Sequence, residues 1–470
     1  MKKTKIICSI GPSSINPDVM EEMVNAGMNV ARVNFSHATK ENSEEIIKSV
    51  NEVRKRTDKN IGLLFDTKGP EFRNDDVENG EIELINDKKI RIVKDHVLGT
   101  KDRISVNHPE ALDSIKVGNF ILLENGLMKI EVISKEDDGI TCKIISGGKL
   151  GNKKSLNVPG VRLAIPFISE QDKEDIIFAC KNDGDFLAAS FVSCKEDVES
   201  IRDIIEEQGS DMKIISKIEN TTAIKNIEEI ISASDGIMVA RGDLGVEASI
   251  EDLPHYQKNI IRKCREHSKF VIVATEMLES MKTNLRPTRA EVSDVANAVL
   301  DGVDAVMLSG ETTVGSYPVE VTSIMASICE KQEKYAIFDT NYNYDRKNNI
   351  VETVATSAVM AANDLDAKLI ITGTLSGYTA RKLSNMKPEC LIFATCHEEK
   401  VARSLSLNYG VETKVIDFYK STDEMIDNSI IEAKNKFKLK KDDLVVVTGG
   451  FTENIFEKHT TNLMKIVKIK

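Results

Sequence analysis

The sequence of 470 residues lacks any apolar run close to the roughly 20 residues that a membrane-spanning helix needs. We do not expect its basic start, MKKTKIICSIGPSS, to be a signal peptide, because the apolar part is short and is interrupted by Gly11 and Pro12. An excess of positive charge is missing too. The formal net charge of −12 argues against nucleic acid as the main partner, although it allows a local basic pocket for phosphates. We therefore expect a globular protein without membrane or nucleic-acid partners.

No two of the eight cysteines form a C-x-x-C pair, a spacing typical of zinc and redox sites. Most of them lie inside apolar runs, where cysteine behaves as a small hydrophobic residue. We therefore expect reduced, buried thiols, no zinc site and a cytoplasmic location.

Short apolar runs alternate with amphipathic stretches along most of the chain, which is long enough for about two to four domains. Eight of the runs begin at Lys5, Asn29, Ile61, Phe186, Lys213, Gly236, Phe270 and Ala305. Helical patterns such as NPDVMEEMVNAG lie between them, and several begin with a capping residue and end at glycine. Strands that alternate with helices form a parallel sheet, and eight repeats are the number that closes a (β/α)₈ barrel.

Two regions depart from this alternation. Between Pro70 and about Pro166, short alternating strands with Gly, Asn and Asp turns predict an all-β domain inserted after the third barrel strand. After Asp339, a second series of five short strands with intervening helices predicts a separate open sheet. The predicted fold is α/β, with a (β/α)₈ barrel from residues 1–70 and 166–339, an inserted β-barrel domain from residues 71–165 and a C-terminal open-sheet α/β domain from residues 340–470.

Polar residues gather where the barrel strands are predicted to end. They are Arg32, Asn34 and Ser36 in strand two, Asp66, Thr67 and Lys68 in three, Ser190 in four, Lys217 and Glu219 in five, Asp243 in six, Thr275 and Glu276 in seven, and Ser309 and Glu311 in eight. Because such a barrel carries its active site at the carboxyl ends of its strands, these side chains predict one site. A single Asn, Ser or Thr there is explained by a cap or a loop hydrogen bond, but repetition on most strands favours a function.

Lys217 and Glu219 lie two residues apart in a buried strand, so they point to the same face. Glu219 and Asp243 end neighbouring strands and suit a hard divalent cation such as Mg²⁺, which completes its shell with substrate oxygens and water. The alternative is that the two carboxylates are salt-bridged to Lys217 and Arg241. The turn RGDLG also enters a helix and offers free N–H groups to an anion. Together these groups predict a pocket for a small phosphorylated, carboxylated substrate.

The sequence resembles the pyruvate kinases along nearly its whole length, from TKIICSIGPSS to TTNLMKIV. The most specific motifs are MNVARVNFSH, FDTKGPEFR, IISKIEN, MVARGDLGVE, ATEMLESM, RPTRAEVSDVANAVLDGVDAVMLSGET and YPVE, in the family's order. The resemblance implies the barrel, a β lid over its mouth and a C-terminal regulatory α/β domain. It implies phosphoryl transfer from phosphoenolpyruvate to ADP, giving pyruvate and ATP at the end of glycolysis. It further implies a divalent cation (Mg²⁺ or Mn²⁺), a homotetramer, and the bacterial type without an extra domain beyond Lys470.

The resemblance also implies roles for the residues of the predicted site. Lys217 stabilises the transferring phosphoryl group and the enolate, Arg32 contacts the same phosphoryl group, and Thr275 lies near the methylene carbon on the proton route. Thr275 is expected to act through water, because a threonine hydroxyl is a weak acid. Glu219 and Asp243 hold the divalent cation. The positions implied for binding are the backbone amides around Ala240, Arg241, Gly242 and Asp243 for the substrate carboxylate, and Asn34, Arg73 and Lys154 for the nucleotide.

Four polar residues match the family's monovalent-cation site, namely Asn34, Ser36, Asp66 and Thr67. Members that need K⁺ carry Glu in the GPE motif, which here is Glu71, so we expect activation by K⁺. The chain departs from the family's pattern at Glu276, Ser193, Glu124-Asn125-Gly126 and Ser155. None of these is a metal ligand or the catalytic lysine, so we expect them to affect substrate affinities more than the reaction.

In the C-terminal domain, TGTLSGYTARK is a hydroxyl- and glycine-rich turn from a strand into a helix. An ordinary helix N-terminus explains this composition by itself. In the family this place binds a sugar-phosphate effector, so the resemblance implies a phosphate site formed by Thr374, Ser376, Gly377, Tyr378 and Thr379. We therefore expect activation by a phosphorylated metabolite.

Two other functions are compatible with the same barrel. A metal-dependent carbon–carbon lyase acting on a keto acid shares the cation and an enolate, but it needs no ADP and leaves Arg73, Lys154 and the β domain without a role. A metabolite sensor that has lost turnover predicts damage to the catalytic residues, which are all present.

Overall fold

The computed structural model describes residues 1–338, 349–417, 421–450 and 461–470. Strands and helices alternate at its start: β1 (Lys5–Ser9), α1 (Pro17–Ala26), β2 (Val30–Asn34), α2 (Lys40–Thr57) and β3 (Gly62–Asp66). Strands without an α-helix follow: β4 (Glu81–Leu84), β5 (Lys89–Val93), β6 (Arg103–Ser105), β7 (Phe120–Leu123), β8 (Met128–Glu136), β9 (Gly139–Ser146), β10 (Gly148–Gly151) and β11 (Leu156–Asn157).

The alternation then resumes in two further groups. The first contains α3 (Glu170–Lys181), β12 (Phe186–Ala189), α4 (Lys195–Glu207), β13 (Lys213–Ile218), α5 (Thr221–Lys225), α6 (Ile227–Ala233), β14 (Gly236–Ala240), α7 (Arg241–Glu247), α8 (Leu253–Glu266), β15 (Phe270–Ala274), α9 (Arg289–Asp301), β16 (Ala305–Leu308), α10 (Gly310–Thr313) and α11 (Pro318–Gln332). The second contains α12 (Ile350–Asp364), β17 (Leu369–Gly373), α13 (Tyr378–Asn385), β18 (Leu391–Cys396), α14 (Glu399–Ser404), β19 (Val411–Val415), α15 (Thr422–Phe437), β20 (Leu444–Gly450) and β21 (Thr461–Lys468).

Eight strands close into a parallel barrel in the order β1-β16-β15-β14-β13-β12-β3-β2. Each of the eight predicted apolar runs contains one of them. The predicted (β/α)₈ barrel is therefore confirmed.

Capping residues in the sequence explain where the barrel helices begin and end. α1 begins after Asn16, whose side chain accepts a hydrogen bond from the Asp18 N–H. α9 begins with a capping box between Thr288 and Glu291 and ends at Gly302, where φ is 93°. Glycine takes this left-handed conformation without the strain that a Cβ atom would cause, so the helix can stop sharply there.

The inserted strands form two sheets rather than one closed barrel. β4 pairs with β10, and the other six strands are ordered β11-β7-β8-β9-β5-β6. One apolar cluster, which runs from Phe72 to Val158, packs between the elements of the insert. The predicted closed β-barrel is corrected here, because the edge strands β6 and β11 are short and do not pair with each other.

The C-terminal strands form an open five-stranded sheet in the order β19-β18-β17-β20-β21. All neighbours are parallel except β20 and β21, which are antiparallel. The predicted open sheet is therefore confirmed, with its last strand reversed. The limits predicted for the three domains stay a prediction, and the boundary at residues 339–340 lies outside the described residues.

The C-terminal domain closes the amino-terminal end of the barrel. Leu407 is fully buried in a cluster with Phe186, Phe270 and Met307, whose side chains fill the barrel interior. Ion pairs surround this contact, among them Lys387 with Asp304 at 2.6 Å, and both side chains are buried. The barrel is therefore packed against a domain that follows it in sequence.

Among the described residues, no helix combines the length and the apolar character needed to cross a bilayer.

We predict that Leu407→Ala lowers the free energy of unfolding by about 2–5 kcal/mol, because it leaves a cavity at the base of the barrel. Urea denaturation of the whole chain measures the effect. Leu365→Ala is the matched control, since Leu365 lies in the same domain and is 42% exposed. Equal unfolding midpoints for the two variants would contradict the packing role of Leu407.

Candidate active site

A cavity of about 500 Å³ opens at the carboxyl ends of the barrel strands. Its charged lining residues are Arg32, Lys68, Glu71, Arg73, Lys153, Lys217, Glu219 and Asp243. Asn34, Ser36, Ala240 and Thr275 line it as well. The structure therefore brings to one cavity nine of the residues for which the resemblance implies a catalytic or binding role, at the end of the barrel where they are expected.

Most of these polar residues follow the strands rather than belonging to them. Glu219 is the first residue after β13, Asp243 lies in α7, and Thr275 follows β15 with a φ of 69°. The strands predicted from the apolar runs are too long, because the backbone turns sharply at each carboxyl end. The same correction applies to Ser36, Thr67, Lys68, Ser190, Glu276, Ser309 and Glu311. The predicted residues that do lie in strands are Arg32, Asn34, Asp66, Lys217 and Ala240.

The ammonium group of Lys217 has three oxygen partners. Nζ lies 2.9 Å from Glu219 and 3.1 Å from Asp66, and it donates to Ser190 Oγ at 2.7 Å. Burial by itself would lower the pKa of Lys217, but the two carboxylates hold the pKa above its ordinary value. Lys217 is therefore a fixed positive charge at the cavity wall, and the predicted pairing with Glu219 is present.

Arg32 is held beside Lys217 by a carboxylate that both share. Arg32 Nε donates to Asp66 at 2.7 Å, and Nη1 donates to Ser9 Oγ at 2.7 Å. Burial would raise the pKa of Asp66, but Arg32 and Lys217 hold the pKa below its ordinary value. Two cations that would repel each other are thus kept side by side by one anion.

Glu219 and Asp243 both line the cavity, and each carboxyl group affects the pKa of the other. Burial raises the pKa of Glu219 to about 7, with Asp243 adding to the rise and Lys217 opposing it. Burial also raises the pKa of Asp243. Glu219 is held in place by the Phe191 N–H, which donates to its carboxylate at 2.7 Å. Two carboxylates this close share either a proton or a cation.

This pair fits the ligand set of Mg²⁺ or Mn²⁺, which bind through one or two carboxylates and take their remaining oxygens from substrate and water. Within the part of the chain that the structure describes, no cluster of three or more His, Cys, Asp or Glu residues forms a metal site. A cation held by Glu219 and Asp243 would leave positions for oxygens of substrate and water.

The alternative pairing of Asp243 with Arg241 is wrong. Arg241 Nη1 lies 2.7 Å from both carboxylate oxygens of Asp294, and Nη2 donates to the Thr275 carbonyl oxygen at 2.6 Å. The two residues begin a helix rather than end a strand, so their side chains point in different directions. The Gly242 N–H donates to Thr275 Oγ1 at 2.8 Å, so this predicted substrate contact already has a partner within the chain.

The inserted domain brings only one of its two predicted nucleotide residues to the cavity. Arg73 lines it and binds both carboxylate oxygens of Glu71, at 2.9 and 2.8 Å. Lys154 instead donates to Glu124 at 2.7 Å and does not line the cavity. Its neighbour Lys153 does line the cavity. Sequence reasoning could not choose between two adjacent lysines, because the choice depends on the turn that carries them.

The residues predicted to bind a monovalent cation lie together at the floor of the site. Asn34 and Asp66 are opposite each other in the register of β2 and β3. Thr67 follows Asp66, and its Oγ1 accepts a hydrogen bond from the Ser190 N–H at 3.1 Å. Asn34 Oδ1 accepts from the Ser36 N–H at 3.1 Å. The oxygen-rich composition of the group suits a monovalent cation.

The positions that depart from the family's pattern lie around the cleft. Asn125 and Ser155 hydrogen-bond to each other in the insert. Glu276 is exposed, and Ser193 accepts a hydrogen bond from the Asn220 side chain at 3.2 Å. None of these four side chains, Asn125, Ser155, Glu276 and Ser193, is a partner of Lys217.

Three of the predicted effector residues, Thr374, Ser376 and Gly377, lie in the turn between β17 and α13, and the other two, Tyr378 and Thr379, begin α13. Gly377 has a φ of 77°, and its N–H donates to Thr374 Oγ1 at 3.0 Å. Arg381 donates to the Ser376 carbonyl oxygen at 3.0 Å. The hydroxyl of Thr379 is buried against Thr461.

Three residues that the structure places in or behind the site have no predicted role, although Ser190 is among the polar residues predicted to gather there. Ser190 binds the ammonium group of Lys217, Lys153 lines the cavity, and Asp294 binds Arg241. Ser190 could be found from the sequence, because it is the polar residue at the end of the fourth apolar run. Asp294 could not be found in this way, because the helical pattern around it shows which face of the helix is polar but not which residue that face contacts.

Comparisons with known proteins agree with this geometry. The family models "Pyruvate kinase, barrel domain" and "Pyruvate kinase, alpha/beta domain" match residues 1–322 and 352–467. The chain is 44% identical to a pyruvate kinase of Geobacillus stearothermophilus over 471 residues, which cover 99% of the chain and 80% of that relative. It is 43% identical to one of Staphylococcus epidermidis with the same coverage. The crystal structure of a pyruvate kinase from Cryptosporidium parvum matches with a TM-score of 0.93 and 38% identity, covering 99% of this chain and 96% of that one.

We predict that the affinity of the chain for Mn²⁺ decreases as the pH falls from 8 to 6. The raised pKa of Glu219, about 7, means that a proton competes with the cation for this carboxylate. Below the pKa the loss approaches about tenfold per pH unit for each proton displaced. Isothermal titration calorimetry measures it.

Glu219→Gln is the matched variant, because it keeps the size of the side chain and removes the titrating group. It should bind Mn²⁺ more weakly at pH 8 and lose less affinity on acidification. An affinity of the unaltered chain that is constant between pH 6 and 8 would contradict the assignment.

Proposed function

Because the chain belongs to the pyruvate kinase family of phosphotransferases, we propose that it transfers the phosphoryl group of phosphoenolpyruvate to ADP, giving pyruvate and ATP as the last step of glycolysis. The observation that carries the proposal is the position of Lys217 and Arg32 around the buried Asp66, on the wall of the cavity that Glu219 and Asp243 also line. Two fixed cations and two carboxylates in one cleft suit a substrate that carries a phosphate and a carboxylate.

In the proposed phosphoryl transfer, the chain neutralises charge and holds oxygens in line. Lys217 and Arg32 contact the transferring phosphoryl group, whose negative charge spreads over its oxygens. Lys217 also stabilises the enolate that remains. Its raised pKa keeps the ammonium charged throughout, so it acts by electrostatics rather than by giving up a proton.

In the proposed second step, the enolate gains a proton on its methylene carbon. Thr275 lines the cavity, and its hydroxyl accepts a hydrogen bond from Gly242 and donates one to the Ala274 carbonyl oxygen. We assign Thr275 to ordering the water that delivers the proton, because a threonine hydroxyl is too weak an acid to protonate carbon itself. The N–H groups of Arg241 and Asp243 at the start of α7 bind the substrate carboxylate, since the Gly242 N–H already donates to Thr275.

Glu219 and Asp243 would hold Mg²⁺ or Mn²⁺. When bound, this cation would neutralise the substrate's carboxylate and phosphate charges. Asn34, Ser36, Asp66 and Thr67 would hold K⁺, and Glu71 at the cavity edge is the residue from which we infer the K⁺ requirement.

Arg73 and Asn34 are proposed to bind the nucleotide phosphates, since both line the cavity. Lys154 is proposed to join them by leaving Glu124, with which it is paired. The inserted domain would thus act as a lid, because it carries Arg73 and Lys154 on a segment separate from the barrel.

We also propose a phosphate effector site at the turn from Thr374 to Thr379, supported by its glycine, its hydroxyls and the start of α13. A homotetramer is proposed as well. Its support is a set of exposed apolar side chains, Ile350 and Met360 on α12 and Met464 and Ile466 on β21. Analytical ultracentrifugation that found a single chain as the stable species would contradict it. The eight unpaired cysteines support a cytoplasmic location, which cell fractionation tests.

We predict ADP-dependent formation of pyruvate from phosphoenolpyruvate, which requires Mg²⁺ and is activated by K⁺. Lys217→Met should lower kcat by about 10²–10³-fold or more, because it removes the charge that faces the phosphoryl group. A coupled spectrophotometric assay measures turnover, and circular dichroism checks the fold. Lys149→Met is the control, since Lys149 is exposed on the insert.

Each component of the proposal has its own contradicting result. Pyruvate formed without ADP would favour a lyase, and no turnover would favour a sensor. Rates that stay the same when tetramethylammonium replaces K⁺ would remove the K⁺ assignment. Near-normal turnover of Lys217→Met would remove the role of its ammonium group.

We predict that at least one compound in a panel of sugar phosphates and nucleoside monophosphates shifts the saturation curve for phosphoenolpyruvate to lower concentration. Ser376→Asp should abolish the shift, because its charge repels a phosphate. Ser232→Asp, at an exposed position of α6 in the barrel, is the control. Identical curves with every compound would remove the effector site.

A further inference from the structure

Two consecutive residues at the edge of the site adopt a backbone conformation that non-glycine residues seldom take. Thr275 and Glu276 follow β15 and have φ values of 69° and 53°. For a β-branched residue such as Thr275 this region is strained, so it persists only where other contacts hold the backbone.

Those contacts come from the first two residues of α7. Arg241 Nη2 donates to the carbonyl oxygens of Thr275 and Glu276, at 2.6 and 3.3 Å. The Gly242 N–H donates to Thr275 Oγ1 at 2.8 Å. The backbone of Thr275 and the direction of its hydroxyl are therefore both set by α7.

Arg241 is in turn held by Asp294 in α9. Both carboxylate oxygens of Asp294 lie 2.7 Å from Arg241 Nη1. The Arg241 side chain is only 9% exposed, and a buried cation needs such a partner. Asp294 does not line the cavity, so any effect it has on the reaction passes through other residues.

We propose that Asp294 is a positioning residue for the protonation step, which it serves by fixing Arg241 and thereby the hydroxyl of Thr275. The inference rests on the proposed function. In this step the C=C electron pair of the enolate forms a C–H bond at the methylene carbon with a proton from water, whose O–H bond breaks to leave hydroxide, and a lone pair of the enolate oxygen makes the keto C=O. The phosphoryl group has already left, so Asp294 should affect protonation more than substrate binding.

The test measures protonation in its reverse direction, as exchange of the pyruvate methyl protons for deuterium in D₂O. Nuclear magnetic resonance follows the exchange in the presence of Mg²⁺, K⁺ and inorganic phosphate. Asp294→Ala should slow the exchange by about 10- to 100-fold, since a misplaced group costs this much. The KM for phosphoenolpyruvate should change by less than about twofold, because no substrate-binding side chain is altered.

Conservative and control variants separate positioning from loss of structure. Asp294→Asn should keep more of the exchange rate than Asp294→Ala, because its amide oxygen still accepts a hydrogen bond from Arg241. Asn297→Ala should exchange at the rate of the unaltered chain, since Asn297 lies one turn further along α9 and is exposed. Should Asp294→Ala fail to fold, Asp294→Asn carries the test with a smaller expected loss.

A double-mutant cycle tests whether Asp294 acts through Arg241. The variant with both Asp294→Ala and Arg241→Met should exchange no more slowly than Arg241→Met alone. Additive losses would overturn the inference, as would an unchanged exchange rate in both Asp294 variants while the unaltered chain forms pyruvate. Absence of pyruvate formation by the unaltered chain would instead overturn the proposed function.

Discussion

The ionic cluster of Lys217, Asp66 and Glu219 is the interaction on which the rest of the site depends. Buried charges are costly to remove from water, and these are tolerated because each lies beside a charge of opposite sign. Asp66 ends β3 and Lys217 lies in β13, with β12 between the two strands. The cluster therefore forms only when the barrel closes in one register, and that register is the one that buries its apolar faces.

The site has an uneven distribution of charge that follows from this cluster. Arg32 and Lys217 share Asp66, so positive charge dominates on their side of the cavity. Glu219 and Asp243 share the other side, where burial raises the pKa of each carboxyl group. A substrate with a phosphate suits the first side, and a cation suits the second, so the charges that balance inside the chain are also those that orient a ligand.

Different domains serve the two ends of the barrel. The insert leaves after β3, where the Gly69 N–H donates to Asp172 at 3.0 Å, and it carries Arg73 to the cavity. At the opposite end, Leu407 of the C-terminal domain packs into the barrel interior. In the proposed function, the chemistry thus lies at the strand ends, while Arg73, which contacts the nucleotide, lies on the insert.

The sequence by itself determined the alternation of strands and helices, the β-rich insert and the end of the barrel at which polar residues gather, because residue periods and helix caps are local properties. The tertiary structure alone decided which charges pair, since pairing depends on the directions of side chains that are distant in sequence. Arg241 therefore binds Asp294 instead of Asp243, and Lys154 binds Glu124 instead of facing the cavity. The true ends of the strands could not be predicted from the sequence either. The left-handed turn at Thr275, for example, is held by the guanidinium group of a residue 34 positions away.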